Sequence, residues 1–335
     1  MDEIKEEIFD DTQELPIEEE QESMGSKFWK HIMVPFDKLK KMTLSDLGAT
    51  IIMILPYALL FSIFIAIPVA VAVFLSFTSF NMIETPTFSG FTNYIYLLTQ
   101  DEIFLEFVLP NTLKYSLIVG PGGYVLSFLF AWMLAQIQKL PRTILAMILY
   151  LPSMIGGVFT SIIWKTMFNG SESGYINSIL LQLDIIDVPI DFLQNPAYLL
   201  NICIIVALWS SMGVGFLSIL SGMLNIPQDQ YEAAHIDGIK NRFQEIRFVT
   251  IPNMKPQMLF GAVMAIVNAF NNGYIGVQLS GVNPTPEYSA QLMINHIEDY
   301  AYARYEMGYA AALSVVLLLV VWLFTKVAYK LFGED

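Results

Sequence analysis

The chain has 335 residues, of which 55% are hydrophobic and only 14% charged, and its mean hydropathy is +0.54. Soluble globular proteins carry about 25% charged residues, so this composition excludes a water-soluble fold and indicates an integral membrane protein. The net charge of −14 arises mainly in residues 2–22, which contain eleven acidic residues and one lysine. Because no basic patch is present to neutralise phosphates, no nucleic-acid partner is expected. The one cysteine, Cys203, excludes an internal disulfide and a cysteine-ligated metal site.

The N-terminal region is predicted to form two segments ahead of the apolar part of the chain. Residues 1–26 are acidic and poor in large apolar side chains, which predicts a disordered cytoplasmic tail. A docking role for this tail is the alternative. Residues 27–48 mix aromatic and aliphatic side chains with lysines, and this predicts an amphipathic segment on the membrane surface.

Six apolar stretches follow, and each is long enough for a helix that crosses a bilayer, which takes about 20 residues. The sequence therefore predicts an all-α polytopic membrane protein whose transmembrane domain covers residues 49–332. The six predicted helices lie near 49–79, 113–136, 143–164, 198–224, 257–279 and 308–329.

The lysine and arginine residues predict the orientation of these helices. If the N-terminus is cytoplasmic, 14 of the 17 basic residues fall in cytoplasmic segments. Cytoplasmic loops carry an excess of Lys and Arg, so the distribution predicts that both termini are cytoplasmic. The predicted location is the plasma membrane, with lipid as a partner.

The cytoplasmic loop at residues 225–256 has the local chemistry of a helical elbow. Pro227 suits the first turn of a helix, and Gly238 can end that helix in a left-handed conformation. Asn241 and Gln244 have the spacing of a helix cap, and Pro252 is expected to end the second arm. A simple solvated connector is the alternative interpretation.

The fifth apolar stretch holds the densest set of polar side chains. Asn268, Asn271 and Asn272 share one helix face, and Tyr274 and Gln278 follow them. Neutral amides and an aromatic ring suit a polyhydroxylated ligand, so these five residues are candidates for a substrate path. Hydrogen bonding between packed helices explains the asparagines equally well.

Several classes of site are missing from the sequence. No phosphate-binding G-x-x-x-x-G-K-[ST] loop occurs, and the interiors of the apolar stretches lack ionisable residues. His31, His235 and His296 are scattered and are expected to be solvated side chains rather than ligands. We therefore predict no catalytic residues, no metal site and no bound cofactor, and a protein that is not an enzyme.

The cytoplasmic loop at residues 225–256 also resembles part of a known protein family. Glu232-Ala233-Ala234, followed by Gly238 and by Ile251-Pro252, resembles the EAA loop of binding-protein-dependent ABC importer permeases. The surrounding residues 231–238 are similar to the carbohydrate branch, which includes the maltose and glycerol-phosphate permeases. Between Gly238 and Pro252 the chain is one residue longer than the commonest family spacing. One extra helical residue rotates the rest of the helix by about 100°, so the register of the second arm stays open.

The resemblance implies a type I importer permease that forms half of a translocation pathway for a sugar or oligosaccharide. It implies as partners a second permease, two separate ATPase subunits and an extracytoplasmic solute-binding protein. Contact with the ATPase is implied for Glu232, Ala233, Ala234, Asp237 and Gly238. The alternative function is a stand-alone ion-coupled secondary transporter for a polar solute.

Overall fold

The computed structural model describes residues 46–333, with side chains from residue 49. The predicted tail at 1–26 and residues 27–45 of the predicted surface segment lie outside the described residues. Within them the chain is mostly helical, as the apolar composition predicts. Contacts between residues group the chain into two units, and the boundary between these units lies between Val69 and Ala70.

The part before Ala70 is a run of helix in which every described side chain from Thr50 to Val69 but one, Ile52, is exposed. It contains helix α1 (Asp46–Phe61), a π-helical turn (Ser62–Ala66) and the first residues of α2 (Ile67–Leu75). Almost every residue from Ile51 to Val69 is apolar. Such an all-round apolar surface is typical of a helix surrounded by lipid or by other apolar helices.

The part from Ala70 onward contains the remaining helices and one two-stranded antiparallel sheet, β1 (Thr78–Ser79) with β2 (Thr87–Phe88). The helices are α3 (Thr92–Thr99), α4 (Leu109–Ala135), α5 (Lys139–Met154), α6 (Gly157–Met167), α7 (Tyr175–Gln182), α8 (Pro196–Trp209), α9 (Val214–Leu224), α10 (Gln228–Ile236), α11 (Arg242–Glu245), α12 (Ile251–Asn253), α13 (Lys255–Asn271), α14 (Ile275–Ser280), α15 (Met293–Glu298) and α16 (Met307–Phe332).

Four helical stretches among the described residues are long and apolar enough to cross a membrane. They are Ala49–Leu75, Phe104–Ala135, Pro196–Leu224 and Met307–Phe332. These four agree with the first, second, fourth and sixth predicted helices. The second begins earlier, in a π-helical turn at Phe104–Val108, and the fourth is interrupted at 210–213, between α8 and α9.

The third predicted helix, at 143–164, is divided into two helices by a sharp bend. Helices α5 and α6 meet at an angle of 98°. Ile155 and Gly156 between them have extended backbone conformations, with ψ of 123° and 149°. Pro152 lies just before this break, and a proline removes one backbone hydrogen bond from a helix. Taken together, the bent pair is apolar enough to count as one crossing.

The fifth predicted helix, at 257–279, is interrupted as well. Helix α13 ends at Asn271, and α14 begins at Ile275. Gly273 lies in the break and is held close to Ile294, so that a side chain at this position would have no room. The sequence pattern missed this break because the contact with Ile294 comes from a later segment of the chain, which the periodicity of this stretch does not include.

Helices α4, α9 and α13 form the centre of this part of the fold and pack against one another. Small residues allow the close approach. A β-carbon added at Gly215 on α9 would lie 3.3 Å from the backbone of Gly261 on α13. Small side chains at helix contacts are typical of proteins that pack helices within a membrane. Three buried apolar clusters surround this centre, and they include Phe216, Leu199 and Leu313.

The prediction that His296 is a solvated side chain is wrong. This histidine on α15 is 2% exposed, and its Nε2 atom lies 2.7 Å from a carboxylate oxygen of Asp101. The Tyr309 hydroxyl donates to the same oxygen at 2.7 Å, and the backbone N–H of Phe104 donates to the other at 2.9 Å. The cluster joins the segment before α4 to α15 and to the start of α16.

Candidate substrate cavity and coupling elbow

A cavity of about 480 Å³ lies among helices α4, α5, α6, α8, α9, α13 and α14. Three helix breaks meet at its wall. They are the α5–α6 break at Ile155 and Gly156, the α8–α9 break at Ser210–Gly213, and the α13–α14 break at Asn272–Tyr274. Helix ends leave backbone N–H and C=O groups without partners inside the helix. The breaks therefore place backbone donors and acceptors beside the cavity.

The structure brings four of the five predicted path residues to this cavity. Asn268, Asn271, Asn272 and Gln278 all line it, as the shared helix face predicts for the asparagines. Tyr274 does not line it. Its side chain is 46% exposed, and its hydroxyl donates a hydrogen bond to the carboxylate of Glu298 on α15. The break after Asn271 changes the direction of the chain, and this separates Tyr274 from the asparagine face.

The hydrogen bonds distinguish the asparagines from one another. Asn272 donates from Nδ2 to the hydroxyl of Tyr115 on α4 at 3.0 Å, which is a contact between packed helices. Within residues 46–333, no hydrogen bond reaches the side chains of Asn268, Asn271 or Gln278. The same holds for the Thr160 hydroxyl, although this residue is 9% exposed. These polar groups are available to a ligand.

The cavity contains no charged side chain among the described residues that line it. Its polar groups are amides, hydroxyls and backbone groups at the breaks, and apolar side chains such as Val119, Ile155 and Ile275 supply the rest. Neutral donors and acceptors between apolar walls suit a ligand with many hydroxyl groups.

Sequence reasoning missed the contribution of α5 and α6 to this cavity. Tyr150, Ser153 and Thr160 line it from these two helices. The available signal is Pro152 followed by Gly156-Gly157, a combination typical of a broken helix. Gly157 also allows the start of α6 to contact α14, since a β-carbon there would lie 2.7 Å from Oε1 of Gln278.

The loop at 225–256 forms the predicted elbow. Helix α10 begins after Pro227, and Gly238 has a φ of 97°, a conformation that favours glycine. Asn241 caps α11 by accepting a hydrogen bond from the backbone N–H of Gln244 at 2.9 Å. The Gln244 side chain in turn accepts from the backbone N–H of Lys240 at 2.9 Å. Local chemistry therefore determines both arms of the elbow.

The second arm contains a π-helical turn at Ile246–Thr250, which closes each hydrogen bond over one residue more than an α-helical turn. Helix α12 follows this turn and ends at Asn253, directly after Pro252.

The elbow exposes most of the residues predicted to contact an ATPase. Glu232, Ala233, Asp237 and Gly238 are exposed, while Ala234 is 9% exposed and faces the fold. Two apolar side chains beside them were not predicted from the sequence. Ile236 is 87% exposed and Phe243 is 71% exposed.

A second cavity, of about 410 Å³, lies beneath the elbow. Glu232 and His235 line it from the first arm, and Arg242 and Glu245 from the second. Arg242 and Glu245 also form an ion pair at 2.9 Å. No group of three or more His, Cys, Asp or Glu residues in the described part of the chain is arranged to hold a metal ion.

Comparison with known proteins identifies the family to which the chain is similar. Residues 43–333 match the family described as binding-protein-dependent transport system inner membrane component. The chain is 32% identical to the probable ABC transporter permease protein YesP of Bacillus subtilis (strain 168), over 82% of this chain and 87% of that protein. It is 28% identical to the arabinooligosaccharides transport system permease protein AraP of the same organism, over 83% of this chain and 87% of AraP.

The fold has a solved counterpart. The structure of a bacterial alginate ABC transporter, in complex with a periplasmic protein bound to an alginate pentasaccharide, aligns with a TM-score of 0.70. The alignment covers 92% of this chain and 99% of the matched chain at 22% sequence identity. The apolar helices and the family match show that the chain is a multi-pass protein of the plasma membrane. It belongs to the family of inner-membrane permease components of binding-protein-dependent ABC transport systems.

Proposed function

We propose that the chain is the permease subunit of an ATP-driven importer for an uncharged sugar or oligosaccharide, and that the 480 Å³ cavity is its part of the translocation path. The observation that carries this proposal is the convergence of three helix breaks on a cavity with unpartnered amide side chains. Polar groups within membrane helices usually face a path or a partner helix. Relatives that import arabinooligosaccharides and lactose support the choice of a sugar.

The chain crosses the membrane six times in this proposal, with both termini in the cytoplasm. The bent pair α5–α6 provides the third crossing, and the interrupted pair α13–α14 the fifth. One contact supports an even number of crossings. The backbone N–H of Gly308, at the start of α16, donates to the Phe80 carbonyl, shortly after the end of α2, at 3.1 Å. The first apolar helix therefore ends at the membrane face where the last one begins.

The elbow transmits force from a separate ATPase in this proposal. Glu232, Ala233, Ala234, Asp237 and Gly238 form the first arm, and Ile236 and Phe243 provide apolar side chains that a groove on the ATPase can bury. Buried apolar anchors carry much of the energy of protein interfaces. The sequence contains no phosphate-binding loop of its own, and in this proposal the energy comes from such a partner.

The complete importer contains a second permease, two ATPase subunits and a solute-binding protein on the other side of the membrane. The second permease forms the other half of the translocation path. The family description itself refers to transport that depends on a binding protein.

Reconstitution tests the proposed function. The full complex is purified and incorporated into proteoliposomes that contain ATP, and uptake of labelled arabinooligosaccharide and lactose is measured with the cognate binding protein. We expect uptake that requires ATP hydrolysis. Uptake by this subunit alone, driven by a sodium or proton gradient, would instead establish an ion-coupled carrier and refute the proposal.

A further inference from the structure

Helix α3 and the residue before it expose an apolar face that other described residues cover only in part. Phe91, Ile95 and Leu98 are 67%, 57% and 65% exposed. Their spacing places them on one side of the helix, and we name them the α3 apolar face. Phe88, on strand β2 just before the helix, is 80% exposed. Exposed apolar groups of this kind mark a surface that contacts another phase or another molecule.

The opposite side of α3 is fixed to the fold. Leu97 is 1% exposed, and the ring of Tyr96 packs edge-on against Tyr309 on α16 with centroids 5.1 Å apart. The side-chain amide of Asn93 donates to the carbonyls of Ser76 and Thr78, both at 2.9 Å. Helix α3 is therefore an amphipathic helix held in a defined orientation.

These contacts also define the depth of α3 relative to a membrane. Ser76 and Thr78 directly follow the first apolar helix, which ends at Leu75. The hydrogen bond between Gly308 and Phe80 attaches the same segment to the start of the last apolar helix, at Met307. Two apolar helices end where α3 is attached, so α3 lies at the level where hydrocarbon gives way to lipid headgroups.

The composition of this segment suits lipid better than a protein partner. Residues 76–100 contain one charged side chain, Glu84, and therefore offer little charge complementarity to a protein surface. The segment is rich in phenylalanine, tyrosine and threonine instead. Aromatic side chains are enriched where membrane proteins meet the headgroup region. The exposed apolar surface is also continuous along the chain with α2, where Phe74 is 62% exposed.

We propose that α3 is an interfacial helix whose apolar face, Phe91, Ile95 and Leu98, lies in the headgroup–acyl boundary of the bilayer. Interfacial helices of this kind bury their apolar face about 5–10 Å into that boundary. The role is separate from transport of any solute. It depends on the chain crossing the membrane and not on which ligand the cavity accepts.

Spin labelling of the full complex in phosphatidylcholine nanodiscs tests this proposal. Ile95→Cys and Leu98→Cys replace exposed side chains, and the natural Cys203 is fully buried, so labelling within this chain is confined to the new site. The partner subunits are prepared without exposed cysteines. Collision rates with molecular oxygen, which partitions into lipid, are compared with those of a water-soluble nickel chelate. Glu172→Cys, at an exposed position in the loop after α6, is the matched control in water.

We expect both α3 labels to be accessible to oxygen and to collide with the nickel chelate about threefold or more less often than the Glu172→Cys label. Nickel collision rates equal to that control would show that the face lies in water and would overturn the proposal. Low rates with both reagents would also overturn it, because they would show that a protein, such as the second permease, covers the face. Neither result would alter the transport assay, so the two proposals fail independently.

Discussion

His296 and Asp101 form a buried pair in which Nε2 of the histidine lies 2.7 Å from a carboxylate oxygen, with both side chains 3% exposed. The two residues are far apart in the sequence, and the pair connects the segment before α4 to α15. Tyr309 and the backbone of Phe104 complete the hydrogen bonds of the carboxylate. A buried charge with this many partners is stable in place, and removing one partner is costly.

Replacing His296 should destabilise the fold strongly. His296→Ala removes the partner of a buried carboxylate, and breaking such a pair costs about 3–5 kcal/mol. We expect a clear fall in the thermal unfolding midpoint of the purified protein in detergent. The matched control is His235→Ala, since His235 is exposed on the elbow, and an exposed substitution changes stability by about 0.5 kcal/mol or less. Equal midpoints for the two variants would contradict the buried pair.

The same cluster predicts how stability depends on pH. Burial raises the pKa of Asp101, but hydrogen bonds from His296, Tyr309 and the Phe104 backbone outweigh burial and lower this pKa to about 2. A carboxyl group with a lowered folded-state pKa stabilises the fold above its unfolded pKa of about 3.9, and this contribution is lost as the pH falls towards 2.

We therefore expect the wild type to be more stable than Asp101→Asn at pH 7 and at pH 5, by a similar margin. Thermal unfolding at pH 3 should show a smaller difference between the two proteins. A margin that widens below pH 4 would contradict the lowered pKa.

Gly276 on α14 should not tolerate a side chain. A β-carbon there would lie 2.6 Å from the backbone carbonyl oxygen of Ala290, which cannot move as a flexible side chain can. Gly276→Ala should lower the free energy of unfolding by about 1–3 kcal/mol, the usual cost of overpacking. Gly156→Ala is the control, since nothing lies within 4 Å of a β-carbon at that position. The thermal unfolding midpoints of the two variants are compared. A smaller fall in the midpoint for Gly276→Ala than for Gly156→Ala would refute the close contact with Ala290.

Substitutions of the three asparagines at the end of α13 should distinguish side chains that line the path from side chains that hold helices together. Asn268→Leu and Asn271→Leu remove amides without a protein partner, so we expect reduced uptake with an unchanged unfolding midpoint. Asn272→Leu breaks the hydrogen bond to Tyr115 and should cost about 1 kcal/mol of stability. Uptake into proteoliposomes and unfolding in detergent measure the two effects. If all three variants lose stability equally, the asparagines serve packing alone.

The proposed contact between the elbow and the ATPase should depend on the exposed side chain of Ile236. Ile236→Asp places a charge where the proposed ATPase contact needs an apolar group. Loss of an interface anchor costs about 2 kcal/mol or more, so ATP-driven uptake should fall about 30-fold at limiting ATPase concentration. Ile185→Asp alters a similarly exposed isoleucine, 63% exposed in the loop after α7, and should leave uptake unchanged. Equal uptake by both variants would show that Ile236 does not contribute to the proposed interface with the ATPase.

The sequence predicted the elbow well because its chemistry is local. The left-handed Gly238 and the Asn241–Gln244 cap depend on residues a few positions apart, and such patterns are visible in one chain. The shared face of Asn268, Asn271 and Asn272 follows from helical spacing in the same way. The apolar helices follow from length and composition alone.

Other features depend on contacts that no local pattern contains. The burial of His296 requires Asp101 and Tyr309, which lie on segments distant in sequence. The break at Gly273 depends on the close approach of Ile294, and it is this break that directs Tyr274 away from the cavity. Periodicity describes one helix at a time and therefore cannot predict where neighbouring helices force a helix to end.

The three helix breaks around the cavity restrict how a chain of this design can change its cargo. Main-chain groups at Ile155, Ser211 and Asn272 are the same whatever amino acid occupies each position. If the cavity is the proposed path, exchange of a few lining side chains, such as Thr160 and Asn268, changes the groups that face a solute and leaves the main chain at the breaks in place. Such a scaffold can diversify by point mutation, without rebuilding its architecture.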